Sequence, residues 1–189
     1  MSRSYRVSVR ESSNRTIRAE DHVSTQLEIL EVLPPEQMAG LLADELERRG
    51  FERDGTRATR KQNGVTITVE TTTGTVTVAA EASEETTIQA ERTDRAYDDA
   101  GPHSKSVREN LKEQVKKDIE KKVGEKTAGL QSKVTDRLEG ELSDIRQELD
   151  QAVNRVTAEA LKRKAAQMGQ IKEMTEDPQA GSLTIVVEV

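Results

Sequence analysis

The chain has 189 residues, with 29 Lys and Arg against 35 Asp and Glu for a net charge of −6, and it is 33% hydrophobic but only 2% aromatic. That length suits one or two domains, and so few large apolar side chains build a small aliphatic core spread over elongated elements rather than one deep globule. The absence of cysteine rules out a disulfide framework and a thiolate metal site, and no apolar run is long enough for a membrane span or the apolar region of a signal peptide, so a cytoplasmic protein with no membrane association is expected.

Tyr5, Val7 and Val9 alternate with Arg6 and Ser8, the pattern of a half-buried strand, and residues 16–20 read as a second short strand. Leu27, Ile29, Leu30, Val32 and Leu33 predict a stronger one, stopped by Pro34-Pro35. Proline is tolerated where a helix begins, since its missing amide would be unsatisfied there anyway. The helix that follows carries Met38, Leu41, Leu42 and Leu46 on one face, Arg48-Arg49 in its last turn, and Gly50 for a left-handed cap beyond which Phe51 can fold back. Next comes a meander. Asn63-Gly64 separates residues 56–61 from Val65, Ile67 and Val69 and is a strong hairpin signal because both residues accept positive φ; Thr73-Gly74 turns the chain into Val76, Val78 and Ala80, and a last strand holds Ile88 and Ala90. Residues 1–95 therefore predict an α+β head, an antiparallel sheet covered by one helix, and residues 96–105 a polar linker.

Residues 106–175 predict a long helical arm, free of proline between Pro102 and Pro178. Ser106-Val107-Arg108-Glu109 has the form of a capping box, which would start the helix at Ser106. Val107, Leu111, Val115, Ile119 and Val123 follow at steps of four, so at about 100° per residue the stripe turns by about 40° each step and winds around the helix. Leu130, Val134, Leu138 and Leu142 continue it. From Leu142 the steps shorten to three, four, three and four through Ile145, Leu149, Ala152 and Val156, a heptad seam about two heptads long. Leu138, Leu142, Ile145, Leu149, Ala152 and Val156 are thus the candidate interface. Two readings stay open for it, a helix packed on its own domain and an oligomeric coiled coil.

Residues 182–189 hold Leu183, Ile185 and Val187, the most apolar strand of the chain, which needs a neighbour to satisfy its backbone groups. One continuous helix would carry it far from the first sheet. The leading expectation is therefore a helical hairpin turning at 124–129 or at Gly140; the alternative is a homodimer of antiparallel chains in which each final strand completes the other's sheet.

Chemistry is hard to find. His22 lies beside Glu20-Asp21 and His103 near Asp98-Asp99, and Asp98, Asp99 and His103 could bind a hard metal or hold a general base, ahead of His22, but the spacing fits no metal motif and polar linker residues are ordinarily solvated. There is no phosphate-cradling glycine loop, G-x-S-x-G elbow or H-E-x-x-H, so we expect no enzyme, no catalytic or metal-ligating residue and no cofactor. Residues 104–174 carry 16 Lys and Arg against 13 Asp and Glu, leaving 13 against 22 elsewhere. Lys116, Lys117 and the run Lys162-Arg163-Lys164 are basic clusters that would serve a nucleic-acid or polyanion binder. Against this, Tyr5, Phe51 and Tyr97 are the only aromatic residues available for base stacking, and the net field is acidic.

Arg18-Ala19-Glu20-Asp21-His22-Val23, Ala96-Tyr97-Asp98-Asp99-Ala100-Gly101, residues 148–157 and the closing Thr184-Ile185-Val186-Val187-Glu188-Val189, in this order, resemble the small accessory domains of bacterial FtsH ternary systems. The resemblance covers nearly the whole chain and contains no catalytic motif. It implies a partnership with an FtsH-like AAA+ ATPase and a von Willebrand A-type protein in a conflict system, with an adaptor or substrate-linking role for this chain and ATP chemistry in the partner. The expectation is a non-enzymatic interaction protein, with nucleic-acid or polyanion binding as the second reading.

Overall fold

The computed structural model describes residues 4–97, 104–177 and 182–188. Its elements are β1 (Ser4–Gln26), α1 (Pro35–Arg48), β2 (Glu52–Asp54), β3 (Arg57–Gln62), β4 (Val65–Glu70), β5 (Thr75–Tyr97), α2 (Ser104–Met168), β6 (Gln170–Asp177) and β7 (Ser182–Glu188). The fold is α+β, with one sheet in the order β1-β5-β4-β3-β2 and a separate pair β6-β7. Two compact units emerge, one drawn from residues 1–21 and 81–135 and the other from 22–80 and 136–189, so β1, β5 and α2 contribute to both. Among the described residues no helix is long and apolar enough to cross a membrane.

In the first unit, β1 and β5 form a two-stranded ribbon. Ser8 bonds Thr93 and Asn14 bonds Thr87, so one number falls as the other rises, which is antiparallel pairing. The odd residues of β1 and the even residues of β5 face inward. Val9, Ile88, Ala90 and Ala96 join Val107, Leu111, Val115 and Ile119 of α2 in one buried cluster. A two-stranded ribbon twists more strongly than a wide sheet. A stripe spaced by fours, which turns as it runs, suits such a partner. Arg92 reaches from the inner face of β5 to Asp118 of α2 at 2.6 and 2.9 Å.

The second unit holds the meander and α1. Gln62 faces Val65 across Asn63 (φ 51°) and Gly64 (φ 80°), the two-residue hairpin read from the sequence. The end of α1 is a Schellman motif: the Phe51 amide bonds the Leu46 carbonyl at 3.0 Å and the Gly50 amide, at φ 84°, bonds that of Glu47 at 3.0 Å. Phe51 and Leu46 are both buried, giving the hydrophobic contact that accompanies this cap. Val65, Ile67 and Val69 point inward with Val76, Val78 and Ala80.

Four expectations are corrected. Residues 27–33 are not a strand: Ile29 bonds back to Leu27 and Val32 to Leu30, so three-residue turns replace extended pairing, and only the Leu27 amide joins the sheet end, at the Gly74 carbonyl. The short strands at 5–9 and 16–20 are one strand, and the Ile88 strand is the continuation of β5. The helical hairpin does not form, because Gly124, Gly129 and Gly140 all lie inside an unbroken α2 and none has a positive φ. Each glycine weakens the helix by about 1 kcal/mol, but Leu130, Val134 and Leu138 between them are buried and hold it. Finally, α2 starts at Ser104 rather than Ser106 and ends at Met168, so residues 170–175 of the expected arm belong to β6, and β6 is the neighbour of β7 in place of the first sheet or a second molecule.

Gly169 is where helix gives way to strand. A Cβ there would lie 2.1 Å from the Glu188 carbonyl oxygen, a separation real atoms do not take. Gly169→Ala is therefore expected to push the end of β7 away. Hydrogen exchange should speed up at the amides of 182–188 while α2 and the five-stranded sheet keep their protection; unchanged exchange in β7 would contradict the contact.

Candidate partner-docking groove

The second unit fastens α2 to the α1 and β3 layer through an ion-pair chain. Arg60 of β3 donates from its two terminal nitrogens to the two oxygens of Glu148, at 2.8 and 2.5 Å, and a further bond of 2.9 Å goes to the Arg49 carbonyl. Its guanidinium lies 4.5 Å from the centre of the Phe51 ring. Arg49 links the network onward to Glu45 at 2.8 Å, and Arg155 of α2 approaches the same carboxylate at 3.9 Å. Glu45 is only 4% exposed, so these cations are what makes its burial tolerable. The Nε of Arg60 is buried without an acceptor, consistent with a fork spent wholly on its terminal nitrogens.

Hydrogen bonding from Arg60 holds the Glu148 carboxyl below the ordinary glutamate range; partial burial opposes this, and the charges of Arg60 and Arg49 reinforce it. Asp118 is lowered in the first unit chiefly by its bond from Arg92. Neither group has the raised affinity for protons that a general acid at neutral pH would need.

The same unit holds a groove of about 740 Å³. Ile145 and Leu149, buried, form its floor; Leu142 and Val153 are half exposed on the α2 side, and Val23, 41% exposed, stands on the β1 side. Arg146, Asp150 and Glu28 give it a rim of both charges. An apolar floor with a mixed ionic rim suits an amphipathic protein segment.

The structure thus divides the predicted interface residues. Leu138, Ile145, Leu149, Ala152 and Val156 are buried in the single chain, so this seam is occupied within the protein and is not free for a coiled-coil partner; only Leu142 stays partly open. Lys116, Lys117, Arg163 and Lys164 are exposed, Arg163 pairing with Glu159 at 3.2 Å, and Lys162 lines a smaller pocket beside Glu45 and Glu159. Asp98, Asp99 and His103 lie outside the described residues. Among the described residues no three His, Asp or Glu side chains are grouped to hold a metal ion. Sequence reasoning missed the β1 side of the groove and the Arg60–Glu148 fork. Val23 had no apolar neighbours in sequence to mark it, and Arg60 read only as one charge in a polar run.

A family model described as FtsH ternary system domain X5 matches residues 1–189. The chain belongs to this family. No curated protein and no solved structure matches it. In this X5 domain the groove and the ion-pair chain therefore stand on the geometry alone.

Because Glu148 binds its proton less readily when folded than when unfolded, its contribution is complete above the ordinary glutamate range and is lost as pH falls through the lowered folded value. The melting temperature should fall on acidification, and less steeply in Glu148→Gln. Arg60→Met, which strands Glu148 and uncovers Phe51, should cost about 2 kcal/mol by urea unfolding at neutral pH. An identical pH slope in Glu148→Gln would contradict this account of the fork.

Proposed function

We propose that the chain is a non-enzymatic adaptor, an accessory component of an FtsH ternary system that links an FtsH-like AAA+ ATPase to a von Willebrand A-type partner. Family membership across residues 1–189 is the observation that carries this reading. The groove between β1 and α2 supports it, since Val23 and the half-exposed Leu142 and Val153, edged by Arg146 and Asp150, offer an apolar surface to a protein segment. ATP hydrolysis belongs to the partner in this reading. The chain's own work is binding.

The test uses the full chain with the ATPase and the von Willebrand A-type protein of the same host, all purified. The three are expected to co-elute, and the chain alone to hydrolyse no ATP. Val153→Glu, on the half-exposed wall, should weaken capture about tenfold or more while leaving the melting temperature nearly unchanged, because it adds a charge to an apolar docking surface without opening the core. Turnover of ATP by the chain alone, or retention of the chain on heparin with no capture of either protein, would overturn the proposal.

A further inference from the structure

The strands β6 and β7 form a sheet of two, and none of their described side chains is buried. Two strands alone are marginal in water, and a sheet stands by itself only with three or more strands and an apolar face. The register sets Ile171 opposite Val187 and Met174 opposite Ile185, so these four share one face with Leu183. Met174 is 42% exposed and the others are half-buried. This is an apolar face on an incomplete sheet.

The two outer edges differ. On β6 the register slips between Ile171 and Glu173, leaving Lys172 bulged out of the pairing, and Lys172 bonds Glu188 at 2.8 Å. A bulge and a lysine are the devices that discourage a further strand from adding to an edge. The β7 sequence, Ser182-Leu183-Thr184-Ile185-Val186-Val187-Glu188, has no proline, no lysine and one charge. Its edge is unprotected.

We propose that the outer edge of β7 pairs antiparallel with β7 of a second copy of this chain, about a two-fold axis at Ile185, to make a four-stranded sheet in the order β6-β7-β7-β6. The sequence is complementary to itself in that register. Ile185 faces its own copy, Leu183 faces Val187, and Thr184 faces Val186, so the apolar faces of both hairpins become continuous. Glu188, the one charge in the strand, falls opposite Ser182, and no like charges meet. A slip of one residue would mix the apolar and polar faces, and a slip of two would shorten the overlap. This pairing is independent of the groove and of the adaptor reading.

The full chain should show a concentration-dependent monomer–dimer equilibrium by light scattering. Ile185→Lys and Ile185→Glu each place like charges directly opposite one another and should raise the dimer dissociation constant about tenfold or more, while a mixture of the two, with opposite charges facing, dimerises again. A second variant keeps the test independent of any loss of folding in those two. Facing Cα atoms in an antiparallel pair are about 5 Å apart, within disulfide range, so Ile185→Cys, in a chain without other cysteines, should cross-link to itself under mild oxidation. Leu30→Cys, at a 65% exposed position elsewhere, should not. A wild-type chain that stays monomeric at every concentration overturns the proposal, and so does a dimer that neither charge variant weakens or that Ile185→Cys fails to trap. A monomer that still captures the ATPase sinks this inference and leaves the adaptor reading standing.

Discussion

The structure depends on the apolar stripe of α2 being buried by strands of its own chain. A helix of 65 residues with three internal glycines and mixed charges has little to hold it together as an isolated element. In the first unit Val107, Leu111, Val115 and Ile119 pack on Val9, Ile88 and Ala90, and in the second Leu138, Ile145, Leu149 and Val156 are buried in turn. Burying each such side chain is worth about 1.5–3 kcal/mol relative to leaving it in water. That gain is distributed along the helix, which is why no single glycine breaks it.

Charge then sets what apolar contact leaves undetermined. A smooth stripe of Leu, Ile and Val tolerates small shifts along a sheet; a two-pronged bond between Arg60 and Glu148 does not. Arg92 and Asp118 play the same part in the first unit, and Asn63 donates to both oxygens of Glu141 at 3.0 Å in the second. The chain is rich in Lys, Arg, Asp and Glu, and among the described residues several pairs, such as Arg15–Glu120, Arg53–Asp44 and Arg155–Glu45, also join different elements. Most of the other charged side chains among the described residues are exposed, where an ion pair contributes little to stability.

Much of this fold was legible in the sequence because the signals were local. The Asn63-Gly64 turn, the Pro35 start and Gly50 cap of α1, and the four-residue stripe of α2 each follow from chemistry within a few residues. What was not legible depended on distant partners. Leu27 to Leu33 is apolar enough to read as a strand, but the chain there takes up tight turns, and Leu33 alone reaches the buried core. Residues 170–175 carry Ile171 and Met174 among charges and read as more helix until β7 supplies a register for them. The seam from Leu142 to Val156 showed its period plainly, but a period says that something covers the residues and not whether the cover is the same chain. The groove was hidden for the same reason, since Val23 and Val153 are neighbours only once the chain has folded.

The buried residues of both units describe a protein whose helix is already satisfied internally, so that the partners we propose would be met at the groove and at the β7 edge rather than along the stripe of α2. Hydrogen exchange of the full chain, at a dilution where light scattering finds only monomers, tests that claim most directly. The amides of α2 around Val115, Val134 and Leu149 should be protected to an extent set by global unfolding, with no partner added. Rapid exchange along α2 that slows only when a partner or a second copy binds would mean that the stripe is covered from outside, and would contradict the account.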